Sequence, residues 1–259
     1  MPAERPRLRK REIAFALAAG ALAAGGAALV LDDDVGPDRD REESAAEMRY
    51  EATGFDAVSV IGPQDVIIVV ADEFKVTASG DPGALAQFEA VVEDGSLVIR
   101  PREGVTFDDL DDVTFTVAMP SISRVDVEGS GDVTVDGVAG PRFSGAVSGS
   151  GTLAISMLEA EEVELAVTGS GDLDAAGTAR AVAIQVTGSG EIHAAGLTGA
   201  SANVAIEGSG DVDLSVLEQA AVAITGSGEV DISGPAVCTV TGVGSGEVRC
   251  EGGGGTIVE

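Results

Sequence analysis

The stretch that decides the fold is Ala166–Asp174, AVTGSGDLD, because close copies of it recur through the second half of the chain. The tripeptide GSG occurs seven times, at intervals of 20, 20, 19, 20, 18 and 18 residues. An acidic residue follows every copy except one, where Thr152 takes that place. A fixed period of about 20 residues with no helical pattern inside it predicts a β-solenoid, in which each coil stacks on the one before. The copies begin at Gly129, Gly149, Gly169, Gly188, Gly208, Gly226 and Gly244.

Hydrophobic alternation runs through each copy without a change of phase. In the third copy Val163, Leu165 and Val167 alternate with small or polar residues, and Leu173 continues the phase beyond the tripeptide. Such alternation is the signature of a strand with one buried face. Both glycines share the apolar phase, so we expect both to face a core too narrow there for a side chain. The chain is therefore predicted to be all-β, a parallel solenoid with coils of about 18–20 residues.

Other meanings of a glycine-serine tripeptide fit this sequence less well. A flexible linker does not keep one hydrophobic phase on both of its sides, as these copies do. A phosphate-binding loop requires a following Lys and Ser or Thr together with a helix start, and none follows the copies. The tripeptide is therefore interpreted as a corner between two strands.

The N-terminus carries the pattern of a targeting segment. The basic stretch RPRLRKR precedes 19 apolar residues, Ile13–Leu31, which three aspartates then terminate. Positive charge ahead of an apolar run keeps the N-terminus in the cytoplasm and sends the remainder across the membrane. Residues 1–31 are thus predicted to form an export or anchor helix. The sequence leaves open a cleaved signal peptide and a retained tether, formed by residues 13–31, to the inner membrane.

Three regions follow from these patterns. Residues 1–31 are the signal or anchor, residues 32–47 an acidic disordered linker, and residues 48–259 the solenoid domain. The body is expected to be exported to the periplasm or the cell surface. Contact with the membrane is expected only through the N-terminal segment.

Composition narrows the class of partner. The net charge is −29, and it becomes −32 once the +3 of the first twelve residues is set aside. Nucleic-acid binders need a basic surface, and none remains beyond the N-terminus. A core drawn from Val, Ile, Leu and Ala, with 36 glycines and no Trp, suits a narrow regular interior.

Residues 48–120 are predicted to start the solenoid with a β-cap, since an exposed solenoid end needs covering. The stretch VVEDGSLVIR predicts a hairpin across Asp94–Gly95. A short helical turn is expected at Ala84–Ala90. The tail, EGGGGTIVE, is expected to close the opposite end.

The order of these elements resembles a known family. The run GFDAVSVIGPQDVIIVVADEFKVTASG, then DGSLVIRP, then VTFTVAMPSISRVDVEGSGDV, followed by the repeated GSG-acidic corners, is similar to the GIN-domain family of bacterial envelope proteins. These proteins are also described as auto-transporter adhesin heads. The resemblance covers residues 48 to about 250. It implies an exported right-handed β-helix, and it brings no catalytic residues to carry over.

The outward phase predicts a row of acidic side chains beside the corners. Carboxylates stacked on adjacent coils repel one another, and a hard cation such as Ca²⁺ relieves that repulsion in some proteins. A solvated acidic surface is the simpler interpretation, so no metal and no cofactor are predicted. The residues of this candidate interaction row are Asp132, Asp172, Glu191, Asp211, Glu229 and Glu247.

His193, the only histidine, is expected to face outward between Asp174 and Asp213 of the neighbouring coils. A base paired with acids is one possibility, but no nucleophile is assigned beside it, so a surface imidazole is the simpler reading. No catalytic residue is predicted.

The two cysteines, Cys238 and Cys250, both fall in the last coil. Each lies six residues from Gly244, and each shares the inward phase with Val240 and Val248. In an exported protein such a pair is more often a disulfide than a metal site. The two strands that carry these cysteines must lie unusually close together for the Cα atoms of Cys238 and Cys250 to come within about 7 Å. Two buried free thiols remain the alternative.

The sequence thus predicts a non-catalytic, exported cell-envelope protein. It is expected to act as an adhesin-like or scaffolding solenoid that presents its acidic face to a surface protein or glycan. The alternative is a β-helix hydrolase or lyase of polysaccharides, although the scarcity of basic and aromatic residues gives it little with which to hold a sugar chain.

Overall fold

The computed structural model describes residues 46–105, 113–252 and 256–258. Within these ranges the chain forms an 18-stranded sheet system and one short helix. The helix is α1, Pro82–Leu85. The strands are β1 (Ala46–Tyr50), β2 (Ala57–Gly62), β3 (Asp65–Val70), β4 (Lys75–Gly80), β5 (Phe88–Glu93), β6 (Ser96–Pro101), β7 (Thr114–Met119), β8 (Arg124–Gly129), β9 (Asp132–Val135), β10 (Val138–Gly149), β11 (Thr152–Gly169), β12 (Asp172–Gly188), β13 (Glu191–Gly208), β14 (Asp211–Gly226), β15 (Glu229–Ser233), β16 (Val237–Gly244), β17 (Glu247–Cys250) and β18 (Thr256–Val258).

The solenoid repeats a strand, a corner and a second strand. We call the stretch that ends at the first glycine of a corner the incoming stretch, and the stretch that begins after the second glycine the outgoing stretch. Incoming stretches pair in parallel from coil to coil, as Val163 with Val182 shows. Outgoing stretches do the same, as Leu173 with Ile192 shows. The predicted parallel solenoid is therefore confirmed.

A narrow aliphatic core lies between the incoming and outgoing sheets. Leu165 and Val186 enter it from the incoming side, and Leu173 and Ile192 from the outgoing side; all four are fully buried. Their neighbours along the strands face solvent, because successive strand residues point to opposite faces. The alternation in the sequence thus becomes one buried column on each sheet.

The corner glycines are required by the backbone of the preceding coil. A Cβ on Gly169 would lie closer than 3.0 Å to the carbonyl oxygen of Gly149, and Gly169 also has a φ of +117°. A Cβ on Gly171 would meet the carbonyl of Gly151 and the side chain of Val147. In every corner but the last the second glycine is buried and the first is only half-buried, so the prediction that both face the core was wrong for the first; in the last corner Gly244 and Gly246 are both exposed. What excludes a side chain is the backbone of the preceding coil, and at the second glycine a core side chain of that coil as well.

The region predicted as a cap contains one further corner of the solenoid. Gly62 pairs with Gly129, and Gln64 takes the place of the second glycine. The Gln64 side chain is 2% exposed. Its Nε2 donates to the carbonyls of Ile61 and Ile99, at 3.1 Å each. A long side chain fits here because it bonds to the carbonyls that the cap presents.

Antiparallel strands close the N-terminal end. Strand β4 pairs antiparallel with β1 and β7, and β5 pairs antiparallel with β6. The predicted hairpin across Asp94–Gly95 is confirmed, with φ angles of +49° and +81°. The helical turn lies earlier than Ala84–Ala90, because Asp81 caps α1 through the N–H groups of Gly83 and Ala84 and the buried Phe88 already begins β5.

A disulfide joins the two strands of the last coil. Cys238 in β16 and Cys250 in β17 are bonded, with their Cα atoms 6.5 Å apart. The predicted pairing is therefore confirmed. The two strands lie close enough at this point for a disulfide, as expected from the sequence. Strand β18 then pairs with Thr239–Thr241 of β16.

The predicted N-terminal helix, residues 1–31, and all of the predicted linker except Ala46 and Glu47 lie outside the described residues. The described β-structure begins at Ala46, two residues before Met48. In the described part of the chain, no helix has the length and apolar character to cross a membrane.

Candidate interaction surface

The outgoing stretches present one row of acidic side chains, which we call the acidic row. The strand registers stack these residues directly on one another, with Thr152 between the first two. Neighbouring positions of the row lie one strand spacing apart, about 4.8 Å, so Asp132 and Asp172, with Thr152 between them, are two spacings apart. Each is half-buried or exposed. The members are Asp132, Asp172, Glu191, Asp211, Glu229 and Glu247.

The row follows from the corner chemistry. Each member comes directly after the second glycine, and the next residue along the strand enters the core, as Leu173 and Ile192 do. The member itself must therefore point outward. Some carboxylates also accept backbone N–H groups: Asp211 Oδ1 accepts from Glu229 N–H at 2.9 Å.

The row extends one residue further than the sequence predicted. Asp65, which follows the Gly62–Gln64 corner, accepts the N–H of Asp132 at 3.1 Å through Oδ1. The sequence carries a weak signal of this corner, since GPQD keeps the first glycine and the acidic residue of GSGD, with Pro in place of Ser and Gln in place of the second glycine. The acidic surface therefore begins in the first coil.

A second row of mixed charge lies beside the first. The registers stack Asp174, His193, Asp213, Asp231 and Arg249 in sequence. Its two basic residues, His193 and Arg249, lie among carboxylates of both rows.

His193 bridges two carboxylates on different coils. Its Nδ1 lies 3.2 Å from Asp213 Oδ2, and its Nε2 lies 3.2 Å from Glu191 Oε2. The hydrogen bond with Asp213 raises the pKa of His193 above its ordinary value, and the charges of Asp213, Asp174 and Glu191 act in the same direction against partial burial. The other Asp213 oxygen accepts the N–H of Ala195 at 2.5 Å. The imidazole thus bridges carboxylates of adjacent coils, and its raised pKa favours the protonated form.

Arg249, at the end of the second row, also contacts carboxylates on different coils. Its guanidinium contacts Glu229, lies 3.2 Å from Glu247 and lies 3.7 Å from Asp231. The charge of Glu229 is the main cause that raises the pKa of Arg249. One arginine therefore offsets repulsion among three carboxylates.

The acidic row does not assemble a metal site. Across the part of the chain that the structure describes, no group of three or more His, Cys, Asp or Glu side chains converges as metal ligands do. The row spreads its carboxylates along an axis instead of folding them around one point.

A groove on the incoming sheet was not predicted from the sequence. It has a volume of about 380 Å³ on the outward face. Small side chains and two amides form its floor, which leaves the sheet surface accessible. The only sequence signal is that several outward positions there are Ala where charged residues would be common. Residues at this groove include Glu164, Ala183, Gln185, Asn203, Ala221 and Thr239.

Comparison with protein families gives a match over residues 54–236, which is most of the chain. The family is described as "Putative auto-transporter adhesin, head GIN domain". The chain belongs to this GIN-domain family. The resemblance seen in the sequence is thereby confirmed. No curated protein matches the chain.

Solved structures share the GIN-domain fold. A crystal structure of a "putative adhesin" from Bacteroides fragilis has a TM-score of 0.76 and 19% identity, covering 80% of this chain and 97% of that one. A "putative adhesin" from Parabacteroides merdae has a TM-score of 0.66 and 18% identity, covering 80% and 97%. A "putative lipid binding protein" from Parabacteroides distasonis has a TM-score of 0.65 and 19% identity, covering 80% and 96%. At these identities the likeness shows the fold alone.

Proposed function

We propose that this GIN-domain protein is an exported, non-catalytic envelope module of adhesin type, which binds a surface protein or glycan through the acidic row. The observation that carries the proposal is the register, which places six carboxylates at one repeated position along the solenoid. A repeated charge at fixed spacing complements a partner with repeated or clustered cationic groups.

Two further observations support this function. The family description names an adhesin head, and neighbours in fold are named as adhesins. The disulfide between Cys238 and Cys250 is of a kind that persists in oxidising compartments outside the cytosol. Export and surface binding are consistent with both.

Binding of a partner through the acidic row is expected to depend on salt concentration. Binding through exposed carboxylates weakens as ionic strength rises, because the Debye length falls to about 8 Å at 0.15 M and about 3 Å at 1 M. Partners in the proposed class carry lysine, arginine or amino-sugar groups. An uncharged glycan would bind without this salt dependence.

The experiment is a binding screen of the full chain against envelope proteins and glycans, with turnover measured on a polysaccharide panel. The row variant combines Asp172→Asn, Glu191→Gln, Asp211→Asn and Glu229→Gln. The control variant removes the same amount of charge from exposed sites outside the row. Its changes are Glu159→Gln, Glu161→Gln, Glu164→Gln and Glu207→Gln.

Binding lost in the row variant and kept in the control supports the proposal. Equal loss in both variants indicates a response to net charge alone and overturns the role of the row. Turnover of a polysaccharide that a single change at Glu191 or Asp213 abolishes establishes the alternative, a hydrolase or lyase using the His193 cluster.

A further inference from the structure

The apolar interior loses its cover at the C-terminal end of the solenoid. Val230 and Val212, on successive outgoing stretches, are 0% and 3% exposed. Val248 continues the same column but is only half-buried. On the incoming side Val240, which faces the interior, is likewise only half-buried, whereas its partner Val222 in the preceding coil is 2% exposed. The last coil thus presents apolar surface where every earlier coil is covered by the next one.

Strand β17 also has an open edge. It pairs in parallel with β15 on one side. On its other side, no strand of the described residues pairs with it. Strand β18, in the tail that was predicted to close this end, pairs with Thr239–Thr241 of the incoming sheet and not with β17. A free strand edge carries unpaired N–H and C=O groups and is a template for another strand.

The side chains of this edge are complementary to themselves. Glu247 and Arg249 face outward on either side of Val248, which faces the interior. If two copies of β17 pair antiparallel about a two-fold axis at Val248, Glu247 of each copy lies opposite Arg249 of the other. Opposite charges directly across an antiparallel pair are stabilising. The two Val248 side chains meet on the core side.

We propose that the partner at this end is a second copy of the chain, joined through β17 in a two-fold dimer. The outgoing sheets of both copies then continue as one sheet, and each Val248 is covered by the partner's Val248. An interface that repeats the same surface on both copies closes at two subunits. This dimer does not depend on the proposed binding function of the acidic row.

Charge also argues against head-to-tail stacking. The edge strand at the opposite end, β1, carries Glu47, Met48 and Arg49, and it runs parallel to β17 through β4, β7 and the outgoing stretches. With Met48 beside Val248, such stacking sets Glu47 against Glu247 and Arg49 against Arg249. Like charges directly opposite are destabilising. The two-fold arrangement replaces both repulsions with attractions.

The disulfide holds the edge strand β17 in place before a partner binds. Cys250 ends β17 and is bonded to Cys238 of β16, so the edge strand is fixed to the coil before a partner arrives. Ordering a flexible strand costs free energy on association, and a strand already held avoids that cost. The interface therefore lies next to the one covalent cross-link among the described residues.

The test measures the molar mass of the full chain by light scattering and sedimentation, over a range of protein concentrations. We expect a monomer–dimer equilibrium for the natural sequence. Arg249→Glu creates the edge Glu-Val-Glu, and Glu247→Arg creates Arg-Val-Arg, so each variant repels its own copy. Each change is expected to raise the dimer dissociation constant about tenfold or more.

Mixing the two variants separates the interface from folding. An equimolar mixture pairs Glu-Val-Glu with Arg-Val-Arg and is expected to recover dimers, and so is the double variant that carries both changes. A variant that had merely lost the contacts of Arg249 with Glu229 would not recover on mixing. Glu47→Arg is the matched control at the other end and is expected to leave the dimer unchanged.

Three outcomes overturn the proposal. The first is a natural chain that stays monomeric at all concentrations, which would mean that the edge charges prevent pairing. The second is a dimer that responds to Glu47→Arg and not to Arg249→Glu. The third is a mass that keeps rising beyond two copies, which indicates head-to-tail stacking.

Discussion

Gly171 lies so close to the carbonyl oxygen of Gly151 that a Cβ on Gly171 would come nearer than 3.0 Å to it. The two residues occupy the same corner position in adjacent coils, and both are buried. The N–H of Asp172 donates to that same carbonyl at 3.1 Å. Close backbone contact between corners therefore sets the coil spacing at the acidic row.

This contact predicts a steep cost for any side chain at the second corner glycine. Gly190→Ala places a Cβ against the carbonyl of Gly171, and its φ is not in the left-handed region, so the cost is steric. We expect a loss of about 1–3 kcal/mol in the free energy of unfolding, as overpacking gives. Denaturant unfolding measures it. Ser189→Ala, at an exposed site in the same corner, is the control and should change little; equal effects would reject the corner geometry.

The disulfide is expected to stabilise the last coil in particular. Replacing both Cys238 and Cys250 with Ser should lower the free energy of unfolding by about 2–4 kcal/mol. Hydrogen exchange should speed up in β16 and β17 more than in β11 and β12, because the cross-link holds only the final coil. Mass spectrometry of the unreduced, unfolded protein should find no thiol to alkylate. Two alkylated thiols would contradict the bond.

His193 is expected to make stability depend on pH. Because folding raises its pKa, the folded state binds the proton more tightly than the unfolded state. The stabilisation is fully present below the ordinary value of about 6.5 and is lost as pH rises through the folded-state pKa. Unfolding free energies of the natural chain and of His193→Gln should therefore draw closer as pH rises from below about 6.5 through the folded-state pKa of His193.

The single histidine permits a direct measurement of the same effect. An NMR titration of the imidazole should give a pKa above the ordinary value, and Asp213→Asn should lower it, because the hydrogen bond with Asp213 is the main cause of the shift. Asp132→Asn, at a distant position in the acidic row, serves as the control. A titration unchanged by Asp213→Asn would refute the bridging geometry.

Calcium is expected to act on the acidic row only as a general electrolyte. Screening reduces repulsion among stacked carboxylates, so added NaCl should raise the melting temperature. Millimolar CaCl₂ should raise it no more than NaCl at equal ionic strength, since a specific site would add stabilisation by mass action. A clearly larger rise with Ca²⁺ would show a site that the described residues do not reveal.

The sequence determined the solenoid and its outward rows. Once Val163, Leu165 and Val167 alternate and the corners recur every 18–20 residues, the stacked register of Asp172 and Glu191 follows, because a strand has a period of two and each coil repeats the last. The disulfide could also be predicted from the sequence, because both cysteines lie in the same coil and both alternate in phase with the buried residues.

Other features were decided only by the tertiary structure. The Gly62–Gln64 corner escaped notice because its second glycine is replaced by a residue that bonds to Ile99, far away in the chain. The groove on the incoming face and the open edge of β17 depend on which strands become neighbours.

The reason is the range of the interactions involved. Alternation and corner spacing are local and repeat in every coil, so one copy predicts the rest. The need for glycine at Gly171, by contrast, comes from a carbonyl one whole coil earlier, at Gly151. Contacts between coils join residues about 20 positions apart, and contacts at the solenoid ends occur only once, so packing in three dimensions determines both.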